Sequence, residues 1–143
     1  MQNKKILKSL NIRKNLQNFH GLAIDSRVVK KNNLFLTLKG KNNDGNKFIP
    51  KALKRGAKYI ISSKKIKKYK NKIINVKNEI KFLSQYANEK RKNTQTNIIA
   101  ITGSAGKTSL KNLIKNLLQK FGATHFSPKS YNNHLGVPLS LSH

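Results

Sequence analysis

The sequence predicts an α/β protein, and three observations carry that prediction. Short apolar runs of strand length alternate with segments whose apolar residues recur at helical spacing. One succession of strand, helix and strand, from Leu34 to Ser62, reads as a parallel βαβ unit. A second begins at Ile98-Ile99-Ala100-Ile101, runs through Thr102-Gly103-Ser104-Ala105-Gly106, and opens a helix on Lys107-Thr108-Ser109. Buried strand, glycine-bearing loop and Lys-Thr helix start make the architecture of a phosphate-binding loop.

Taken in order, the first segment carries Ile6, Leu7, Leu10, Leu16 and Phe19, which suits a short amphipathic helix within residues 2–19. Gly21-Leu22-Ala23-Ile24 is a short strand, and Asp25-Ser26-Arg27 is a turn after it. Leu34 to Leu38 is a strand, and residues 39–46 form a loop dense in Gly, Asn and Asp. Phe48, Ile49, Ala52 and Leu53 sit at helical spacing, with Gly56 in the helix-terminating position. Tyr59 to Ser62 is the next strand, residues 64–72 are a lysine-rich solvated stretch, and Ile73 to Val76 is a strand again. Glu79 to Arg91 reads as a helix with Ile80, Leu83, Tyr86 and Ala87 on one face. Polar residues 92–96 mark a domain boundary, which divides the chain into 1–93 and 94–143.

In the second part, Asn97 to Ile101 is expected as a strand and Ala123 to Ser127 as its parallel successor. The helix between them, from about Gly106 to Lys120, places Leu110, Leu113, Ile114, Leu117, Leu118 and Phe121 on one face. A single helix on so small a sheet leaves one face uncovered, so exposed apolar surface and fraying or association of residues 94–143 are expected.

Composition narrows the class. The chain holds 143 residues, 31 Lys plus Arg against 4 Asp plus Glu, and no cysteine. Disulfides and thiolate metal sites are therefore excluded. The apolar runs fall short of the roughly 18 residues that cross a bilayer, and the basic N-terminus lacks a secretory pattern. A cytoplasmic protein without membrane contact is expected. The charge invites a nucleic-acid reading, but the excess is lysine: Arg13, Arg27, Arg55 and Arg91 are the arginines. Lys, Asn and Ile rise together as A/T-rich codons would make them, and the lysines are scattered. No specific nucleic-acid partner is expected, only salt-sensitive attraction.

The chemistry of the loop is legible residue by residue. Gly103 and Gly106 let backbone N–H groups close around phosphate oxygens at a helix start, where orphan donors and the helix dipole favour anions. Ser104, Ala105 and Ser109 complete the cradle; Lys107 reaches the terminal phosphates as the catalytic cation, and the Thr108 hydroxyl is the metal ligand. The common G-x-x-x-x-G-K-[ST] pattern would need a glycine at Ile101, so this is a shorter variant, Thr-Gly-x-x-Gly-Lys-Thr-Ser. A plain strand-to-helix turn capped by Ser104 or Thr108 is the alternative.

That variant resembles the ATP-binding loop of the Mur ligases, the ATP-dependent amide-bond-forming family of peptidoglycan synthesis. The resemblance extends to Ser130-Tyr131-Asn132-Asn133-His134-Leu135-Gly136-Val137-Pro138-Leu139-Ser140-Leu141 and to three upstream blocks: Asp25-Ser26-Arg27, Leu34 to Gly40, and Asp44-Gly45-x-x-Phe48. It covers residues 21–141 and implies a small α/β substrate domain followed by the first β-α-β of a P-loop ATPase domain. ATP and Mg²⁺ are the implied cofactors, with Asn132 and Asn133 beside the nucleotide. UDP-N-acetylmuramoyl-peptide and D-alanyl-D-alanine are the implied substrates. Ser26, Arg27, Lys39 and Gly40 are implied to hold the nucleotide-sugar end, the alternatives being that Asp25 and Arg27 only brace their turn with Ser26 capping it, and that Lys39-Gly40 is an ordinary turn after a strand.

The implied reaction activates a carboxylate as an acyl phosphate, which an amine then attacks. Its setting is cell-wall building, and with it cell shape and division. The family's metal-binding glutamate and histidine, carbamylated lysine and third domain have no counterpart in these 143 residues. A fragment with little or no ligase activity alone is therefore expected. Two other readings stay open: a basic nucleic-acid or partner-binding module derived from such an enzyme, and the preceding ligase of the family, which adds the third peptide residue.

Overall fold

A computed structural model describes residues 2–12, 18–40, 43–127 and 135–142. Four short strands, β1 (Leu22–Ala23), β2 (Leu34–Leu36), β3 (Tyr59–Ser62) and β4 (Ile73–Asn75), pair in parallel in the order β1-β2-β3-β4. The registers join Leu22 to Leu34, Phe35 to Ile60, and Ile61 to Ile74. Such strands are apolar on both faces, because a parallel sheet is covered on both sides. Leu34, Phe35, Leu36, Ile60 and Ile61 are all fully buried.

The pleat sorts these residues into two layers. Leu22, Leu34, Leu36, Tyr59, Ile61 and Ile74 point to one face. There they meet Ile6 and Leu7 of α1 (Gln2–Ser9), Phe82, Leu83 and Tyr86 of α3 (Glu79–Lys92), and Leu139 of α5 (Gly136–Leu141). Ala23, Phe35, Ile60 and Ile73 point to the other face, against Ile49 and Ala52 of α2 (Ile49–Lys54) and the loop residues Val29 and Ala57.

Local chemistry sets the helix limits. The Asn78 side chain accepts from the Lys81 amide at 2.8 Å and caps α3. A 3₁₀ turn, Gly45–Phe48, leads into α2, with Pro50 in the first helical turn. Gly56 ends that helix at φ +95°, and a Cβ there would lie 3.1 Å from Lys31 Cα, so glycine suits the position. The lysine-rich stretch forms a 3₁₀ turn, Lys67–Tyr69, that leads into β4.

The N-terminal helix stops at Ser9, short of the range allowed for it. Leu16 lies outside the described residues.

Two expected strands are corrected. Residues 97–101 and 123–127 have no strand pairing among the described residues. The reason is missing partners: a strand's backbone groups need a neighbouring strand, and a lone pair is marginal at best. Ile98 and Ile99, expected buried, are 46% and 56% exposed. The helix between them forms as expected, as α4 (Lys107–Leu118), with no buried residue. Its apolar face stands open, as expected of an uncovered sheet layer: Leu113 is 67% and Phe121 80% exposed. Residues 125–127 lie along α4, where Lys111 Nζ donates to the Ser127 carbonyl at 2.8 Å and Lys115 Nζ sits 4.2 Å from the Phe126 ring centroid. No helix among the described residues is long and apolar enough to cross a membrane.

Candidate functional site

Because all four strands run the same way, their carboxyl ends line one edge of the sheet, where open α/β sheets bind ligands. Asp25-Ser26-Arg27 follows β1 directly. There the Arg27 guanidinium grips the Asp25 carboxylate in a fork, Nε to Oδ2 at 3.0 Å and Nη2 to Oδ2 at 2.7 Å. The Arg27 amide adds a bond to Oδ1 at 2.8 Å. These bonds, with a smaller contribution from Lys51, hold the Asp25 carboxyl below its usual range and raise Arg27. The bracing role is thus realised within the chain. Even so, the Arg27 side chain remains 76% exposed, with donors facing solvent. Ser26 is buried.

Lys39 and Gly40 follow β2 at the same edge. The Lys39 and Asp44 backbones form an isolated antiparallel bridge, and the Gly40 amide donates to the Asn43 carbonyl at 2.8 Å. A Cβ at Gly40 would meet only that carbonyl oxygen, at 3.7 Å, so the fold does not demand glycine there. It demands glycine at Gly45, where a Cβ would lie 2.6 Å from the Leu38 carbonyl oxygen and 2.8 Å from its nitrogen.

Sequence reasoning missed a polar cluster that completes this edge. Asp44 accepts from Lys64 Nζ at 2.6 Å and from the Asn46 amide and side chain at 3.0 and 2.7 Å. These bonds depress its carboxyl strongly. The buried Ser62 hydroxyl donates to Asn46 Oδ1 at 2.8 Å, and Asn75 Nδ2 donates to the Lys64 carbonyl at 2.9 Å. The signal was available: Ser62 and Asn75 are the last residues of β3 and β4, the positions a parallel sheet turns toward its ligand edge.

The phosphate loop lies in the second part of the chain. Gly103 has φ +144° and Gly106 φ +74°, conformations that L side chains rarely adopt. A Cβ at Gly106 would touch nothing, so backbone conformation and not crowding requires the glycine. Gly106 caps α4, its carbonyl accepts from the Leu110 amide at 2.9 Å, and no side chain caps the helix, so neither Ser104 nor Thr108 does. The first-turn amides therefore keep their capacity for an outside acceptor. The Lys107 ammonium folds back over the loop onto the carbonyls of Gly103 and Ser104, the latter at 3.3 Å. Residues 102–106, Thr108 and Ser109 are exposed.

This arrangement fits a phosphate, with helix-start donors, a cation over the loop and no side chain in the way. It fits a metal ion less fully. Thr108 offers one hydroxyl, and no group of three His, Cys, Asp or Glu gathers among the described residues. Asn132 and Asn133 lie outside those residues.

A family model described as "Mur ligase family, catalytic domain" matches residues 18–91, and one described as "Mur ligase middle domain" matches residues 101–143. A curated UDP-N-acetylmuramoyl-tripeptide--D-alanyl-D-alanine ligase of Rickettsia prowazekii is 40% identical over 129 residues, 90% of this chain and 28% of its own length. A UDP-N-acetylmuramoyl-L-alanyl-D-glutamate--2,6-diaminopimelate ligase of Clostridium tetani is 36% identical over 138 residues, 85% of this chain and 27% of its own. Among solved structures, MurF from Acinetobacter baumannii superposes with a TM-score of 0.76 at 26% identity, over 98% of this chain and 31% of that one. MurF ligase from Thermotoga maritima in complex with ADP gives 0.68 at 33% identity, over 85% and 28%. The chain thus spans little more than a quarter of the length of the curated relatives it matches.

Proposed function

This chain belongs to the Mur ligase family, and from that premise we propose that it is the substrate-binding and phosphate-loop portion of a ligase joining D-alanyl-D-alanine to UDP-N-acetylmuramoyl-tripeptide. Residues 1–93 form the nucleotide-sugar-binding domain and residues 94–143 the start of the ATP-binding domain. The setting is peptidoglycan synthesis in the cytoplasm. The observation that carries the reading is the loop itself: Gly103 and Gly106 at positive φ open α4, with Lys107 folded over them. It sits in a chain similar to ligases of this step along most of its length.

ATP, when bound with Mg²⁺, supplies the phosphoryl group that activates the acceptor carboxylate. The loop amides and Lys107 hold and neutralise phosphate oxygens, exchanging the carbonyls of Gly103 and Ser104 for them. Thr108 would offer the metal one hydroxyl oxygen. At the sheet edge, Arg27 keeps its fork on Asp25 while its solvent-facing donors meet the pyrophosphate. Lys39 and Gly40 face the same ligand, while the buried Ser26 supports the turn that presents Arg27.

The test is calorimetric titration of the 143-residue chain. ATP with Mg²⁺ should bind, and Lys107→Ala should weaken it about tenfold or more, while UDP-N-acetylmuramoyl-tripeptide binding should respond to Arg27→Ala and not to Lys107→Ala. Phosphate release from ATP with both substrates present should stay at background. Nucleotide binding unaltered by Lys107→Ala would defeat the reading.

A second reading has its own support in the Clostridium tetani relative, whose printed name places it on the UDP-N-acetylmuramoyl-L-alanyl-D-glutamate substrate. Titration with the dipeptide and tripeptide nucleotides separates the two: preference for the tripeptide supports the first, preference for the dipeptide the second.

A further inference from the structure

The opposite edge of the sheet, where the strands begin, has a different electrostatic character. The segments leading into β2, β3 and β4 are residues 28–33, 54–58 and 65–72. Each is rich in lysine or arginine, and none contains Asp or Glu. The chain's four carboxylates lie elsewhere. Asp25 and Asp44 follow β1 and β2 at the carboxyl edge, and Glu79 there accepts from the Ser63 amide at 2.6 Å. Glu89 sits on α3, paired with Lys92 at 3.2 Å. The carboxyl edge thus mixes these carboxylates with Arg27, Lys39 and Lys64, whereas the three segments at the opposite edge carry cations alone.

The basic edge also has shape. A cleft of about 560 Å³ opens between Leu53, at the end of α2, and residues 67–72. Lysines 67, 68, 70 and 72 line it together with Tyr69 and Asn71, and no carboxylate does. Tyr69 is half-buried against the apolar layer under α2, so its ring is held in place, and Lys68 Nζ stands 5.7 Å from the ring centroid. The strands lie about 4.8 Å apart, so the edge extends roughly 15 Å and the cations continue along it. A row of ammonium groups that tracks a backbone, with one fixed aromatic ring on which a base can stack, is the chemistry of single-strand recognition. An isolated phosphate would use neither the ring nor the length.

We infer that the amino-terminal edge of the sheet, centred on the cleft around Tyr69, is a sequence-independent binding surface for single-stranded nucleic acid. It is separate from the carboxyl-edge site and from the phosphate loop, and it does not depend on the ligase reading.

The test uses the full 143-residue chain and a fluorescein-labelled twelve-nucleotide oligouridylate, followed by anisotropy across a salt series. Lys67→Gln with Lys72→Gln should weaken binding about tenfold at low salt. It should also lower the slope of log K against log salt by roughly 1.4, about 0.7 for each lost contact on a single strand. A charge-matched control, Lys47→Gln with Lys120→Gln, should stay within about twofold. Tyr69→Leu, which keeps the apolar packing, should weaken oligouridylate binding severalfold and leave inorganic polyphosphate binding unchanged. Equal losses in the control and edge variants would overturn the inference, because the attraction would then be diffuse. It would equally be overturned if Tyr69→Leu had no effect, or if only anionic phospholipid vesicles bound in an edge-dependent way.

Discussion

Residues 18–92 and residues 94–127 carry the same kind of sequence pattern and end in different states. Both hold an apolar run of strand length before a helix with an apolar face. In the first region β2 and β3 each have neighbours on both sides, and their residues are fully buried. In the second, Asn97 to Ile101 has no strand beside it among the described residues, and the apolar face of α4 is open to solvent. The helix survives because its hydrogen bonds are internal, whereas the strand fails because its bonds must come from elsewhere. Sequence pattern decides what a segment is able to become; its partners decide whether a strand does so.

The most direct way to break this comparison is to remove the same side chain from each helix. Leu83 of α3 is fully buried between α1 and the sheet, so Leu83→Ala should cost about 3 kcal/mol in urea unfolding. Leu113 of α4 is mostly exposed, and Leu113→Ala should stay within about 0.5 kcal/mol. Comparable losses would mean that the second region packs in solution.

Glycine sharpens the same contrast. A methyl at Gly45 would collide with the Leu38 backbone, which cannot yield without disturbing the end of β2. Gly45→Ala should therefore cost about 2 kcal/mol in the same urea series. Gly106→Ala meets no atom and costs only the strain of its φ of +74°, about 1 kcal/mol of local helix start. That effect should appear in ATP titration and not in the global unfolding midpoint.

The pH dependence of stability should come from the first region. Asp25 and Asp44 both titrate below the ordinary aspartate value of 3.8 when folded. Above about pH 4 they are charged in both states and their stabilisation is fully present. As pH falls further the unfolded chain takes up protons first, and stability is lost. Asp44→Asn should flatten that acid decline in the urea midpoint. On the alkaline side, burial pushes the Tyr86 hydroxyl up from 10.0 to about 12. The unfolded chain then loses the proton first, so stability should fall between pH 10 and 12. Tyr86→Phe should remove that component.

How much could be read from the residues follows from the same physics. Tyr59–Ser62 is a strand within its expected bounds, and α3 differs by one residue, because apolar runs and helical spacing are local signals. The parallel pairing of Leu34–Leu36 with Tyr59–Ser62 was legible because a helix between two apolar runs leaves little else. The strands expected at 97–101 and 123–127 were read from local pattern alone, and pairing is not local. At the candidate site, the expected turn and helix start were legible because Gly103 and Gly106 punctuate the segment before Lys107, and both have positive φ. The ends of β3 and β4 were legible as edge positions, but the pairing of Ser62, Lys64 and Asn75 with Asp44 and Asn46 was not, because only the sheet brings these three segments together.

The smallest expected change in stability falls on the open face of α4, and there the readout is assembly. Leu110, Leu113, Leu117 and Phe121 form a stripe along one side of the helix, each at least 46% exposed. The basic residues Lys111 and Lys115 turn the other way, toward Phe126 and Ser127. A stripe of that size in water favours self-association, opposed by the chain's charge of +27. Salt screens the repulsion and leaves the apolar attraction intact, so association should rise with ionic strength in sedimentation experiments. Leu113→Lys with Leu117→Lys should suppress that rise while shifting the urea midpoint by no more than the scatter of repeat measurements. Association unaffected by the two lysines would place the contact elsewhere on the molecule. A large fall in the midpoint would mean that α4 has a covered face after all, and the difference between the two regions would vanish.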